Sequence, residues 1–240
     1  MGTNVNIKQG KKKSRIEIEF YNDDDLATIK PVLLYPVAGL LLIGLFMCVV
    51  NPFVGMLNNA LYAGLASMNE GSRVVLGFVV AAMMAIDMGG PFNKAAYLFG
   101  TSTLATADIA AGGSGVMAAV MIGGMVPPIA IALATTFFGS RFTLEERKSG
   151  PVNYIMGLCF ITEGAIPFAA SDPLRVLPAC ILGSGVAGAL SMLLGCASPA
   201  PHGGLFVFPV MHNVPGYFAA LAVGSLAGML LLAVLKRKKA

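Results

Sequence analysis

The chain contains little charge: only 12% of its 240 residues are Asp, Glu, Lys or Arg, whereas 56% are hydrophobic. Soluble domains carry about 25% charged residues. This shortage leaves too little polar surface for a soluble domain, so the composition indicates an integral membrane protein. Tryptophan is absent, while glycine is abundant, with 29 residues. Small residues let membrane helices approach each other closely, and the glycine content therefore favours a tightly packed helical bundle.

Cysteine and histidine are also scarce, with four and two residues. The cysteines lie far apart in apolar runs, without metal or redox spacing. The Gly-rich stretch 112–115 lacks the Lys-Ser or Lys-Thr that would make it a phosphate-binding loop. No Ser-His-Asp spacing is present either, so we expect no catalytic residue, no metal ion and no cofactor. The net charge of +4 needs no nucleic acid to explain it.

About 20 apolar residues cross a bilayer as a helix, and five runs reach or nearly reach this length. We therefore predict an all-α polytopic membrane protein with about five transmembrane helices. Their residue ranges are 33–50, 74–91, 115–139, 174–197 and 215–235.

The remaining segments carry Gly, Pro or polar residues that interrupt a simple span. Asn51-Pro52 is expected to end the first span, and residues 53–70 to form an interfacial amphipathic helix or one arm of a hairpin. Residues 153–169 are predicted to form a re-entrant hairpin, and residues 199–212 to be non-helical.

Basic residues cluster in the N-terminal tail, in the loop 141–148 and in the C-terminal stretch 236–239. Such clusters usually mark the cytoplasmic side of a membrane protein. With five spans, however, the two termini would lie on opposite sides. Either one predicted span is wrong or a partner fixes the topology.

Residues 160–173 (FITEGAIPFAASDP) place Glu163 among Gly and Pro residues in an apolar run. A charge on a lipid-facing helix costs about 2.5–3.5 kcal/mol on insertion scales. Helix-breaking residues around such a charge indicate backbone that is buried in protein or lines a wet cavity. A carboxylate there can accept hydrogen bonds from two neighbouring sugar hydroxyls, and Thr162 and Gly164 beside it are further substrate-binding candidates. The alternative is a structural carboxylate buried against Lys94 or Arg175.

Residues 89–97 (GGPFNKAAY) form a second broken polar segment. Asn93 can donate and accept hydrogen bonds and Lys94 donates three, an inventory that suits sugar hydroxyls. Alternatively, Lys94 reaches the membrane interface and Asn93 caps a helix. Two broken segments of this kind are a sequence pointer to a transporter binding site.

Other polar residues near these breaks are weaker candidates. His202, beside Gly203-Gly204, could bind substrate, carry protons or hold its loop through a backbone carbonyl. Asp87 and Asp108 are isolated acids. Asp172 is followed by Arg175, which favours a hairpin end with a local ion pair.

Three motifs together resemble the fructose-type permease, enzyme IIC, of the bacterial phosphotransferase system. They occur in the family's order: residues 89–97 (GGPFNKAAY), residues 161–169 (ITEGAIPFA) with Asp172-Pro173-Leu174-Arg175, and residues 201–207 (PHGGLFV). The resemblance covers roughly residues 28–235. It implies a transport domain with re-entrant hairpins, in which Glu163 is a sugar ligand and Asn93, Lys94 and His202 are its companions.

The resemblance also implies partners. A phosphocysteine on a IIB domain, itself supplied through IIA, would phosphorylate the sugar at the cytoplasmic face. The chain matches only the C-terminal half of the family's permease and has no phosphorylatable IIA or IIB residue. We therefore expect a separate N-terminal IIC half and a homodimer, and whether this chain counts as an enzyme stays open. The expected location is the bacterial plasma (inner) membrane, with multiple crossings of the bilayer.

The expected organisation has three parts. Residues 1–27 are a charged tail, poorly ordered or interfacial; residues 28–235 are a membrane transport domain, or partial IIC; residues 236–240 are a basic cytoplasmic tail. The expected function is binding and translocation of a hexose, namely fructose, for phosphorylation by IIB. The alternatives are a truncated, non-transporting IIC remnant and a proton-coupled sugar carrier independent of phosphorylation.

Overall fold

The computed structural model describes residues 4–8, 15–19, 31, 34–66, 72–105, 107–108 and 112–236. The chain divides into two compact units, Met1–Met56 and Leu57–Ala240. The first unit contains two antiparallel strands, β1 (Asn4–Lys8) and β2 (Arg15–Glu19). Apolar and polar residues alternate in both strands, which is the period of a β-strand. The prediction of a charged tail over residues 1–27 did not include these two strands.

Helix α1 (Tyr35–Ala66) begins in the first unit and continues through Pro52. The apolar span Tyr35–Phe53 ends next to Asn51-Pro52, as predicted, but the helix itself continues, and residues 53–66 belong to it. An internal proline disrupts the local helical hydrogen bonding, but membrane helices tolerate it where local backbone adjustments or other groups satisfy the freed carbonyl. The apolar stretch Tyr35–Phe53 has no buried residue.

The second unit contains eight further helices among the described residues. These are α2 (Arg73–Ile86), α3 (Pro91–Leu104), α4 (Gly115–Phe137), α5 (Leu144–Ser149), α6 (Val152–Leu158), α7 (Ile166–Ser171), α8 (Pro173–Leu193) and α9 (Val214–Leu235). Short 3-10 turns occupy Gly139–Arg141, Thr162–Ala165 and Leu205–Val210. The last of these turns corrects the prediction that residues 199–212 are non-helical throughout.

Four described helices are long and apolar enough to cross a membrane: α1 over Tyr35–Phe53, α4, α8 and α9. They confirm an all-helical polytopic membrane domain. The remaining predicted span, residues 74–91, instead contains the 14-residue helix α2. At 1.5 Å per residue α2 is about 21 Å long, short of the roughly 30 Å hydrocarbon core. It packs against α3 as one arm of a broken helix pair.

Helix α4 lies at the centre of this unit, and 83% of its most apolar stretch is buried inside the protein. It packs against α2, α6, α8 and α9. Helices α2 and α8 are in close contact at a pair of glycines, where a Cβ on Gly188 would lie 2.2 Å from the carbonyl oxygen of Gly77. Two glycines at this crossing let the backbones touch, as expected of helices that pack in lipid.

The unit has two ends, and each broken helix pair starts from a different one. At one end, here called the basic end, Lys236 after α9 contacts Glu146 of α5, and Ser171 at the end of α7 donates to the same carboxylate. At the opposite end, the hydroxyl groups of Thr103 and Ser114 are 2.6 Å apart. The pair α6–α7 therefore enters from the basic end and the pair α2–α3 from the opposite end.

Candidate functional site

The breaks of the two helix pairs meet at a cavity of about 110 Å³. Four residues predicted from sequence line it, two from each broken segment: Asn93, Lys94, Thr162 and Glu163. The other lining residues are Met84, Tyr97 and Phe160. The predicted re-entrant segment 153–169 is present as α6, a 3-10 turn and α7, with Glu163 in the turn between the two helices.

Asp87 fixes the start of helix α3. Its two carboxylate oxygens accept hydrogen bonds from the backbone N–H groups of Phe92, at 2.7 Å, and Asn93, at 2.9 Å. These N–H groups belong to the first turn of α3 and have no partner within the helix. Asp87 thus has a structural role and does not line the cavity.

Asn93 is buried, and its amide nitrogen donates to the carbonyl of Met84 at 2.9 Å. This bond ties the first turn of α3 to the end of α2 and so closes the break between them. Lys94 follows on the exposed side, and Tyr97 lies three residues further on, on the same helical face. The first two turns of α3 therefore present an ammonium and a phenol to the cavity.

Glu163 is exposed at the cavity rather than buried. Its Oε1 lies beside the other break, 3.6 Å from the position that a Cβ on Gly89 would take. The two ion pairs found among the described residues involve neither Glu163 nor Lys94. The expected alternative of a buried structural pair with Lys94 or Arg175 is therefore wrong for the part of the chain that the structure describes.

Gly164 provides room behind Glu163. A Cβ at this position would lie 2.3 Å from Oδ1 of Asn153 and 2.4 Å from the sulfur of Met156. The glycine lets the 3-10 turn pack directly on α6, which places Glu163 on the side of the cavity.

Phe160 precedes the turn with φ of 62°, in the left-handed region that bulky residues rarely adopt. Its ring fits between two glycines: a Cβ on Gly124 or on Gly203 would lie 2.6 Å from it. Met88, at the other break, is also left-handed, with φ of 46°. Unusual backbone conformations of this kind cluster at functional sites.

His202 lies next to the cavity but not on its wall. Its ring is 5.6 Å from the ring of Phe160, and its Nδ1 bonds to the carbonyl oxygen of Gly203. A carbonyl only accepts, so Nδ1 is the donor in this bond. The hydroxyl of Tyr97 donates to the carbonyl of Pro201 at 2.9 Å and joins this loop to α3.

The remaining predicted acids lie away from the cavity. Asp172 forms the expected ion pair with Arg175, with oxygen–nitrogen distances of 3.0 and 3.1 Å. Asp108 is exposed and does not line the cavity. A larger cavity of about 380 Å³, between α5 and α7, contains none of the predicted site residues.

The cavity therefore combines a hydrogen-bond acceptor, Glu163, a donor, Lys94, and the ring of Phe160. Carboxylate, ammonium and amide groups beside an apolar face suit a polyhydroxylated ligand that has polar edges and C–H faces. Across the described ranges, no three His, Cys, Asp or Glu side chains are grouped so as to hold a metal ion.

Sequence reasoning missed Tyr97, Phe160 and Met84 as cavity residues. Tyr97 carried a readable signal, because it follows Asn93 by four residues on a helix that begins at Pro91. Phe160 and Met84 carried no such signal, because nothing in a run of apolar residues indicates which of them lines a cavity.

Fold and site together define a polytopic membrane protein with a polar cavity at the meeting point of two broken helix pairs. The chain belongs to the fructose-type IIC permeases of the phosphotransferase system. It is 45% identical over 210 residues to the fructose permease IIC component of Bacillus amyloliquefaciens, a match that covers 87% of this chain and 67% of that protein. The resemblance inferred from the three motifs is thereby confirmed.

Two further relatives are also named as fructose-specific components of this system. The PTS system fructose-specific EIIC component of Haloferax volcanii is 41% identical over 213 residues, covering 88% of this chain and 56% of that protein. The PTS system fructose-specific EIIABC component of Bacillus subtilis is 46% identical over 210 residues. The match covers 87% of this chain but only 32% of that longer relative. No family model matches the chain, and no solved structure matches it.

Proposed function

We propose that this chain is the sugar-binding part of a fructose-type IIC permease, which binds fructose in the cavity between the two helix breaks and moves it across the membrane. The observation that carries the proposal is the convergence of Lys94 and Glu163 from two separate broken segments. Neither group has an ion-pair partner among the described residues. Both are therefore available to a ligand, at a place where an isolated charge is costly.

In this proposal, Glu163 accepts hydrogen bonds from two neighbouring sugar hydroxyls while Lys94 donates to a third oxygen. Asn93, His202, Thr162 and Gly164 are the further sugar-binding candidates predicted from sequence. Gly164 also lets the 3-10 turn pack against α6. The names of the relatives, each fructose-specific, support fructose as the substrate.

The cavity is smaller than the roughly 300–1,000 Å³ of typical small-molecule sites. A sugar held by Lys94 and Glu163 would therefore extend beyond the walls described here. This supports the proposal that the chain works with other parts: an N-terminal IIC half as scaffold, a homodimeric assembly, and a rigid-body movement of this unit.

Phosphorylation belongs to partners in this proposal. Relatives exist as fusions named EIIB'BC, in Haemophilus influenzae and in Escherichia coli among others, which supports IIB as the phosphoryl donor at the cytoplasmic face and IIA as its supplier. The protein would operate in the bacterial inner membrane, with fructose leaving as its phosphate.

The test is fructose uptake in cells that lack their own fructose permease and express this chain with the N-terminal half, IIA and IIB. Glu163→Gln keeps the shape of the side chain but weakens acceptance from hydroxyls, so we expect uptake to fall at least about tenfold, the loss of one charged hydrogen bond. Asp172→Asn is the matched control, a carboxylate nine residues away that pairs with Arg175 outside the cavity, and it should transport normally.

Unchanged uptake by the Glu163→Gln variant would contradict the assignment of the site. Uptake that persists without IIB and stops with an uncoupler would instead establish a proton-coupled carrier. No uptake in any combination, with folded chain in the membrane, would establish a non-transporting remnant.

A further inference from the structure

Two adjacent prolines interrupt the hydrogen bonds of the central helix. Pro127 and Pro128 lie inside α4, and neither has a backbone N–H. The carbonyls four residues earlier, those of Gly123 and Gly124, therefore have no helical donor. Both lie in the buried centre of the unit, where an unpaired backbone carbonyl is costly.

Side-chain hydroxyls from two different elements satisfy these carbonyls. Ser184 of α8 donates to the carbonyl of Gly123 at 2.8 Å, and Thr162 of the site turn donates to the carbonyl of Gly124, also at 2.8 Å. Both side chains are buried, with 0% and 4% of their surface exposed. The two bonds are alike in geometry, but only the second one reaches the cavity.

Thr162 precedes Glu163 in the same 3-10 turn and has only one hydroxyl proton to donate. That proton is used on the carbonyl of Gly124. The bond fixes the turn against α4, and hence fixes where the neighbouring carboxylate lies.

We propose that Thr162 is a positioning residue, which holds Glu163 at the cavity through the carbonyl that Pro128 leaves free, and is not itself a sugar ligand. This inference rests on the proposed function and refines the role given to Thr162 there. The carbonyl that accepts the bond lacks its helical donor because residue 128 is proline, so the site depends in part on a residue of α4 that does not line the cavity.

Four variants separate positioning from mere stability. Thr162→Val keeps the shape and removes the donor, and Thr162→Ser keeps the donor. Ser184→Ala removes the equivalent bond at the neighbouring carbonyl and is the matched control. Thr162→Val combined with Pro128→Ala returns an N–H to the carbonyl of Gly124 without restoring the bond to the turn.

The first measurement is the dissociation constant for fructose, obtained from thermal unfolding of the purified chain in detergent at rising fructose concentrations. We expect Thr162→Val to weaken binding about tenfold, as loss of one buried hydrogen bond allows, while Thr162→Ser and Ser184→Ala bind like wild type. The Thr162→Val/Pro128→Ala protein should regain thermal stability but not affinity. If it regains both, or if Thr162→Val binds like wild type, the inference is overturned.

The second measurement does not depend on the sugar. Backbone hydrogen exchange at residues 162–165 should be faster in Thr162→Val than in wild type, and unchanged there in Ser184→Ala. Equal exchange in all three proteins would overturn the positioning role. Faster exchange in Thr162→Val, with no effect of fructose on wild type, would support that role while refuting the proposed function.

Discussion

At the scale of single residues, the Glu146 carboxylate connects three separate parts of the chain at the basic end. It accepts hydrogen bonds from the backbone N–H of Thr143, at 2.8 Å, and from the hydroxyl of Ser171, at 2.9 Å. It also pairs with Lys236, whose Nζ lies 3.2 Å away with 2% of the side chain exposed. Burial disfavours the charged carboxylate, but these hydrogen bonds and the charge of Lys236 outweigh it, and the pKa of Glu146 lies below its usual 4.5.

A lowered pKa makes the stability of this end dependent on pH. The contribution of Glu146 is complete above the usual pKa of 4.5 and is lost as pH falls from there through the lower folded value. We expect Glu146→Gln to unfold at a lower temperature than wild type at neutral pH, and the difference to shrink below pH 4.5. Thermal unfolding across this pH range measures it. Glu145→Gln, at the exposed neighbouring carboxylate, is the control; a constant difference at all pH values would contradict the expectation.

At the scale of helices, close contact of backbones holds the second unit together. A Cβ added at Gly188 would lie 2.2 Å from the Gly77 carbonyl oxygen and 2.3 Å from the Cβ of Ala81. Both neighbours belong to α2, and one is backbone, so neither can move away cheaply. The crossing of α2 and α8 therefore requires glycine.

We expect Gly188→Ala to destabilise the unit by about 1–3 kcal/mol, the usual range for overpacking. Gly44→Ala in α1 is the control, since a Cβ there has nothing within 4 Å and alanine favours a helix by about 1 kcal/mol over glycine. Thermal unfolding in detergent compares the two. A Gly188→Ala protein as stable as wild type would show that α2 and α8 can separate without loss.

Sequence predicted the helix breaks well, because each break combines glycine, proline and charge within a few residues. Lys94 and Glu163 were found in this way. The hydrophobic pattern did not predict that α2 ends at Ile86, or that α1 continues through Pro52. The length of a membrane helix is not fixed by hydrophobicity alone, and an internal proline does not necessarily end a helix in a membrane protein.

At the scale of the whole molecule, the helices of the second unit indicate which basic segments share a side. Helices α8 and α9 are both long and apolar enough to cross a membrane, so the chain that leaves the loop 141–148 returns to the same side at Lys236. The contact between Glu146 and Lys236 joins these two segments. We therefore expect the basic end to face the cytoplasm.

Cysteine labelling checks this orientation in a chain whose four native cysteines are replaced. Ser149→Cys lies at the basic end and Leu194→Cys at the opposite end, and both positions are exposed. A membrane-impermeant maleimide should label Leu194→Cys in intact cells and Ser149→Cys only in inside-out vesicles. Labelling of both from one side, or the reverse pattern, would contradict the topology.

The hydroxyl bonds to α4 also restrict which substitutions the chain can accept. Each proline and its hydroxyl form a pair, Pro127 with Ser184 and Pro128 with Thr162, joined through a glycine carbonyl. Losing a hydroxyl is harmful while the proline remains, and replacing the proline first makes the loss of the hydroxyl tolerable for folding. The order in which mutations arise therefore matters at these four positions. For Pro128 and Thr162, even the order that folding tolerates removes the bond that fixes the turn next to Glu163.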